Sequence, residues 1–380
     1  MRIAIVGLAH PFRGGISHHT TRLCQALQKQ HEVHLFSLSR QYPSWLFPGQ
    51  TQIDHSKKSF SFPNTACLDS MNPFSWINTW RKIRAFKADA ILFIWWHPFF
   101  APAFGTIIRL LSWFDATPSF LLCHNVKPHE NSRADRILLN FAYRRAKGFL
   151  VHSNQEKQML QPWVPGRDIV VHGHPIYDQF MEEKPIDAQI AKKKWGLSGK
   201  KVVLFFGFIR PYKGLSVLLE SLLLPQIIEE THLLVAGEFY ESAHTYRPAL
   251  DALAGQGRLT LLDYYLPNEQ VPTIFAASDV LVAPYLSASQ SGVIQIARAF
   301  HIPVVASQVG GLSEMVNHGV DGWLVPPGDA QALAHGIQSC LTKLPPRSGL
   351  AAKADENGPD WENMAMAVTD LMQKPRGNRP

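Results

Sequence analysis

Gly207, Arg210 and Lys213 share one short segment, Phe205-Phe206-Gly207-Phe208-Ile209-Arg210-Pro211-Tyr212-Lys213-Gly214. The apolar run Val202-Val203-Leu204 before it reads as a buried parallel strand. The run from Leu215 to Leu222 after it reads as a helix. The segment thus puts a glycine where a strand ends and two cations just before a helix begins. Backbone N–H groups, the positive helix end and two side-chain charges then converge on one point, which suits a phosphate or diphosphate. The other reading of the same residues is an ordinary strand-to-helix turn with solvated arginine and lysine.

A loop of this kind needs a parallel sheet to carry it, and the chain supplies the pattern twice. In the first half, strands are expected at Ile3–Val6, Val33–Ser37, Ile91–Trp95, Ser119–Cys123, Gly148–His152 and Ile169–His172, with a helix over Ser17–Lys29. In the second half they are expected at Val202–Phe206, His232–Ala236, Leu259–Leu262, Val280–Ala283, Val304–Ala306 and Gly322–Val325. Short apolar strands alternating with helices indicate α/β, doubly wound sheets. Pro175-Ile176-Tyr177-Asp178, Glu182-Glu183-Lys184-Pro185 and Lys192-Lys193-Lys194 mark a surface linker followed by a solvated helix face. Trp361 to Leu371-Met372 reads as a final amphipathic helix. The domains expected are 1–180 with 361–380, and 181–360.

At 380 residues the chain can bury two full cores. It opens directly on a strand with no secretory signal, and its four cysteines lie far apart. They suit a reducing cytosol, and neither a disulfide framework nor a zinc site. The expected location is the cytoplasm, or the inner face of the plasma membrane. The most apolar stretch, Ala90 to Phe104, is broken by His97, Pro98 and Pro102 and reads as a strand, a loop and a helix from about residue 103 to 113 rather than as a span. Residues 1–180 carry 20 Lys+Arg against 10 Asp+Glu, a balance of +10; residues 181–380 carry 17 against 20, a balance of −3. A basic first half points to a polyanionic partner.

Further segments fall into a fixed order. Gly14-Gly15-Ile16 follows the first strand. Ala236-Gly237-Glu238 ends a strand in the second half, and Ser278 to Pro284-Tyr285 precedes the loop Gln290-Ser291-Gly292-Val293. Pro303 to Ala306, Gly310-Gly311-Leu312-Ser313-Glu314 and Gly322 to Gly328-Asp329 come next. The series resembles the family 4 glycosyltransferases over nearly the whole chain, most densely from 202 to 335. The resemblance implies the GT-B fold, two Rossmann-like domains facing a cleft. The second domain holds a nucleotide-diphosphate sugar and the first holds the acceptor, with the final helix crossing back to the first. It also implies retention of anomeric configuration and no metal or other cofactor. The sequence agrees in containing no D-x-D triplet.

Carried over residue by residue, Lys213 matches the family's phosphate lysine. Gly14, Gly15, Gly207, Ser291, Gly292 and Val293 would offer amides or close backbone approach to the donor. His124, in Cys123-His124-Asn125-Val126-Lys127-Pro128-His129-Glu130, resembles the active-site histidine that holds the donor sugar. Two departures stand out. The family arginine five positions before the lysine is Phe208 here, and Arg210 either reaches the diphosphate by another path or packs on the surface, the first being favoured. The family's E-x7-E glutamates are missing, since no acidic residue lies between Asp279 and Glu314. The polar candidates in their place are Ser289, Gln290, Ser291 and Gln295, with Gln295 for a ribose hydroxyl; otherwise Gln290 caps a helix and Gln295 is polar surface. Glu314 resembles a recurrent family glutamate, with capping of a following helix as the favoured role. His124, His129 and Glu130 have metal-like spacing but lack a third convincing ligand. His152, His172 and His174 are expected to be structural or hinge groups.

Phe74 to Lys87 mixes aromatics with four cations on an expected helix, Trp76 and Trp80 on one face. Such a helix either lies on an anionic membrane or simply sends its tryptophans into the core. The activity expected is transfer of a sugar from a nucleotide-diphosphate donor to a saccharide acceptor, lipid-linked in the favoured version. A non-catalytic nucleotide-sugar-binding protein is the alternative. No nucleic-acid module is recognised, and no nucleic-acid partner is expected. A nicotinamide dehydrogenase would need G-x-G-x-x-G after the first strand, where Gly7 is followed by Leu8-Ala9-His10.

Overall fold

A computed structural model describes residues 1–47, 49–126, 133–181, 186–344, 347–351 and 359–374. The chain divides into two compact units. The first comprises Met1–His55, Ser59–Pro175 and Pro359–Pro380, and the second Ser56–Lys58 and Ile176–Gly358.

The first unit runs β1 (Arg2–Gly7), α1 (Gly15–Gln28), β2 (Glu32–Arg40), β3 (Asn64–Asp69), α2 (Pro73–Phe86), β4 (Ala90–Trp95), α3 (Ala101–Phe114), β5 (Ser119–Cys123), α4 (Arg133–Tyr143), β6 (Gly148–Val151), α5 (Asn154–Leu160) and β7 (Asp168–Val171). Its seven strands are parallel in the order β3-β2-β1-β4-β5-β6-β7. The strands β1, β4, β5 and β6 are buried almost throughout, as a sheet covered on both faces requires. The edge strand β3 was not expected from the sequence. Asn64-Thr65-Ala66-Cys67-Leu68-Asp69 has no apolar run, because an edge strand buries only part of itself. Helix α3 begins two residues earlier than expected, since Pro102 in a first turn removes no intrahelical hydrogen bond.

The second unit runs α6 (Ala188–Lys194), β8 (Lys201–Phe206), α7 (Leu215–Leu222), β9 (Thr231–Ala236), α8 (Arg247–Gly255), β10 (Leu259–Leu262), α9 (Val271–Ala277), β11 (Val280–Ala283), α10 (Gly292–Ala299), β12 (Val304–Ser307), β13 (Gly322–Val325), α11 (Ala330–Lys343) and α12 (Arg347–Ala351). Its six parallel strands are ordered β10-β9-β8-β11-β12-β13. The order reverses between β8 and β11, the place where ligands settle in open α/β sheets. The last helix, α13 (Trp361–Gln373), belongs to the first unit and packs on α1, Lys29 pairing with Glu362.

One sequence expectation is corrected. Lys192 is not on a wet face: it is 7% exposed, its Nζ 2.7 Å from Asp279 Oδ2 and donating to the Lys200 carbonyl. Asp279 also accepts from the Val202 N–H, so the pair clamps α6 to the starts of β8 and β11. Trp76 and Trp80 are half-buried, their indole N–H groups donating to the Asp69 carbonyl and to Asp115 Oδ2, both at 2.8 Å.

Candidate functional site

In the second unit the loop after β8 is laced to the loop after β9. The N–H of Gly207 donates to the Ala236 carbonyl, that of Ile209 to Glu238, and that of Tyr240 back to Ile209, at 2.9, 2.9 and 3.0 Å. Gly207 has φ +96°, and a Cβ on Gly237 would meet the Gly207 carbonyl oxygen at 2.0 Å. Glycine is needed at both places, the first for conformation and the second for approach. Pro211–Lys213 forms one 3₁₀ turn, and Gly214 (φ +69°) leads into α7.

Lys213 is buried beneath this loop. Its Nζ lies 3.0 Å from where a Cβ on Gly207 would stand and 5.6 Å from the Tyr285 ring centre. Among the described residues no carboxylate pairs with it. Burial first, and then the neighbouring Arg210, pulls its pKa from 10.5 down to about 7. A buried ammonium with no counter-charge, under a glycine turn, is a site short of an anion. Arg210 is exposed, with its guanidinium 4.8 Å from the Tyr240 ring centre. It packs on an aromatic ring and acts electrostatically on Lys213. Phe208 is stacked at 4.3 Å on Tyr240, with Tyr265 beyond at 5.9 Å, so an aromatic ledge occupies the place of the missing arginine.

The loop after β11 frames the same lysine. The Tyr285 hydroxyl lies 3.4 Å from Ser291 Oγ, and that oxygen accepts from the Ile294 N–H. Ser291, not Gln290, is the cap of α10. Gly292 is held against Tyr177, which a Cβ would approach to 2.9 Å, and Val293 Cγ2 lies 3.6 Å from the Cβ position of Gly207. Gln295 is 1% exposed, so it is not polar surface, and its Oε1 is buried with no hydrogen-bond partner; both amide atoms of Gln290 are in the same state. Glu314 closes the 3₁₀ turn Gly310–Glu314 and caps no helix, because β13 follows.

In the first unit Gly14 (φ +108°) turns the chain into α1, whose first helical residue is Gly15. His124 directly follows β5, its N–H donating to the Trp95 carbonyl at 2.8 Å. Its ring joins three other buried histidines. His19 of α1 stands edge-on to it at 4.4 Å, His152 lies 5.2 Å away and His174 6.2 Å away. Burial, with the other rings adding to it, keeps all four neutral: His124 falls to about 3, His174 to about 4, and His19 and His152 well below 6.5. His124 therefore offers hydrogen bonding or a lone pair at neutral pH, not a charge. His129 and Glu130 lie outside the described residues. His19 was missed by the sequence reading; the adjacent pair His18-His19 one turn after Gly14-Gly15 was its only trace.

The Glycosyltransferase Family 4 model matches residues 13–178, and the model described as Glycosyl transferases group 1 matches residues 200–343. The chain belongs to glycosyltransferase family 4. Among relatives of this family 4 chain is the D-inositol 3-phosphate glycosyltransferase of Mycobacterium sp. strain KMS. It is 31% identical over 216 residues, 56% of this chain and 46% of that one. The enzyme of the same name from Streptomyces scabiei is 30% identical over 250 residues, 63% and 53% of the two chains. The family 4 chain thus spans about half the length of these relatives. In fold it is similar to Anabaena Alr3699/HepE in complex with UDP, with a TM-score of 0.75 at 18% identity over 98% of this chain and 99% of that one. WaaG, a glycosyltransferase involved in lipopolysaccharide biosynthesis, gives 0.66 at 15% identity over 99% and 100%. The two parallel sheets are those of the two-domain GT-B fold.

Proposed function

We propose that the protein transfers a sugar from a nucleotide-diphosphate donor to a saccharide acceptor, with retention and without a metal on the diphosphate. The observation that carries this is Lys213, an ammonium buried under Gly207 with no carboxylate beside it among the described residues. A bound diphosphate supplies the missing charge, and Arg210 and the amides of Ser291, Gly292 and Val293 add donors. Gln290 and Gln295 would take the ribose and sugar hydroxyls by neutral hydrogen bonds, weaker than a carboxylate's. The family resemblance assigns Gly14, Gly15 and His124 to the donor as well. Anabaena HepE, solved with UDP and with UDP-glucose, supports a donor of this class.

A panel of nucleotide sugars tests the reading by binding and by release of nucleoside diphosphate. Binding without release by any donor, with every saccharide acceptor tried, leaves the non-catalytic alternative standing. The pH dependence has a definite sign. The diphosphate of a nucleotide sugar keeps its charge from pH 6 to 9, whereas Lys213 loses its proton near pH 7 in the free protein. The Tyr212 and Tyr285 hydroxyls are held neutral by burial. Affinity is therefore highest below about pH 7 and falls above it by up to tenfold per unit, because binding must then take up a proton. Lys213→Arg flattens the profile; a wild-type profile flat from pH 6 to 9 counts against Lys213 as the phosphate ligand.

The acceptor reading rests on the first unit's surface. On α2, Phe74 is 82% exposed, and on α3 Trp113 and Phe114 are 60% and 62% exposed. Arg81, Lys82, Arg84 and Lys87 are exposed nearby on α2 and its C-terminus. Apolar rings beside cations suit an anionic lipid surface, hence a lipid-linked acceptor at the inner membrane face. Among the described residues no helix is long and apolar enough to cross a membrane. The protein should sediment with anionic vesicles at low salt, and Phe74→Ser with Trp113→Ser should reduce this several-fold; no sedimentation of the wild type defeats the idea.

A further inference from the structure

The four-histidine cluster of the first unit is not needed to hold a diphosphate, and its polar atoms are not satisfied by one another. His19, fully buried in α1, has neither Nδ1 nor Nε2 hydrogen-bonded; Nε2 of His124 and of His152 are likewise buried without a partner. Each such group pays its desolvation penalty uncompensated unless something occupies it. Two of the rings have a defined tautomer. Nδ1 of His152 faces the His172 carbonyl oxygen and Nδ1 of His174 faces that of Pro175, both at 3.1 Å. A carbonyl only accepts, so each Nδ1 carries the proton and each Nε2 the lone pair. An imidazole whose outer N–H is bonded to a carbonyl, with the lone pair on its other nitrogen, is the usual arrangement of a metal-ligating histidine.

The spacing agrees. One nitrogen from each of His19, His124 and His174 lies within 4.8 Å of the others. A tetrahedral zinc with bonds of about 2.0–2.1 Å needs its donors roughly 3.4 Å apart, so the trio must close by no more than roughly 1.4 Å. The His152 ring stands 5.4, 5.2 and 5.0 Å from those of His19, His124 and His174, in position to complete a fourth corner. The backbone brings the four together by construction. His124 and His152 each follow the last residue of neighbouring strands whose ends, Cys123 and Val151, are in register. His174 comes three residues after β7, and α1 lays His19 across them. A compensating charge is at hand: Glu156, fully buried, accepts from the His152 N–H at 3.0 Å.

We propose that His19, His124, His174 and His152 bind one zinc ion inside the first unit. Imidazole ligands alone favour zinc and its late transition-metal neighbours over magnesium or calcium. The ion ties α1 to the carboxyl ends of β5 and β6 and to the segment after β7. By taking Nε2 of His124 it fixes that ring's orientation. Four protein ligands leave no open position, so the ion is structural and supplies no step of sugar transfer.

The test uses the full chain without a histidine tag, loaded with zinc sulfate and desalted. Metal analysis should find one zinc per chain, and the melting temperature should rise by about 5–10 °C with zinc at a hundred times its dissociation constant. X-ray absorption should show a shell of nitrogen at about 2.0 Å with imidazole scattering. His19→Gln and His174→Gln, with unchanged circular dichroism, should lose the zinc. Retention of less than a tenth of an equivalent by the wild type overturns the proposal, as does a sulfur- or water-dominated shell, or full zinc in folded His19→Gln. Where the variants do not fold, the absorption spectrum of the wild type decides alone.

Discussion

Lys213→Met loses the donor and gains stability. Replacing the ammonium with an apolar side chain of similar length removes one charge-assisted contact to the diphosphate, worth about 1.5–3 kcal/mol, so nucleotide-sugar affinity falls roughly 10- to 150-fold. In the free protein the same change removes a buried cation that has Arg210 for a neighbour and, among the described residues, no carboxylate. The sign follows from linkage. The folded pKa lies below the unfolded one, so the unfolded chain holds the proton more tightly, and burying this lysine costs stability most below pH 7 and progressively less towards pH 10.5. The variant should therefore melt higher than the wild type at pH 7 without ligand, and its donor-induced shift should be smaller than the wild type's at the same donor concentration. Calorimetry and thermal-shift titration at one pH read both effects. An unchanged donor shift sinks the phosphate assignment, and a variant that melts lower shows that Lys213 has a protein partner instead.

Gly214→Ala acts on the same loop by geometry rather than charge. Gly214 has φ +69°, and a Cβ there would come 2.0 Å from the Pro284 carbonyl oxygen. The left-handed conformation costs a non-glycine residue about 1–2 kcal/mol, and the clash adds about 1–3 kcal/mol more. The expected drop in melting temperature is about 5–15 °C. Donor binding falls with it, because the displaced segment carries Tyr285, which sits over Lys213 and beside Ser291. Gly196→Ala separates the two contributions: φ is +70° but no atom lies within 4 Å of its Cβ position, so only the conformational cost of about 1–2 kcal/mol applies. Equal losses in the two variants would show that the contact with Pro284 does not constrain the loop.

The parts of this protein legible in its sequence are those set by neighbours along the chain. Runs such as Phe120-Leu121-Leu122 and Val202-Val203-Leu204 announce buried parallel strands, because a strand covered on both faces has no polar side to show. Gly207 and Gly214 announce turns, because only glycine enters those conformations cheaply. With Lys213 between them, the phosphate loop could be proposed from ten consecutive residues. The edge strand β3 could not, since its side chains are half solvated and carry no apolar signature.

What the sequence by itself determined was the two α/β units, the order of their motifs and the lysine beneath a glycine turn. The tertiary structure decided which distant side chains meet. Lys192 in a run of three lysines looks solvated until Asp279, 87 residues away, closes on it. Gln295 reads in line as a polar surface residue, and only its burial shows an amide oxygen waiting for a partner. His19, His124, His152 and His174 are spread over more than 150 residues and share no spacing. They become one cluster because neighbouring parallel strands end in register at one edge and a helix returns across it. Periodicity and turn chemistry are local and can be read in line, whereas a site built from strand ends exists only once the sheet has brought those ends together.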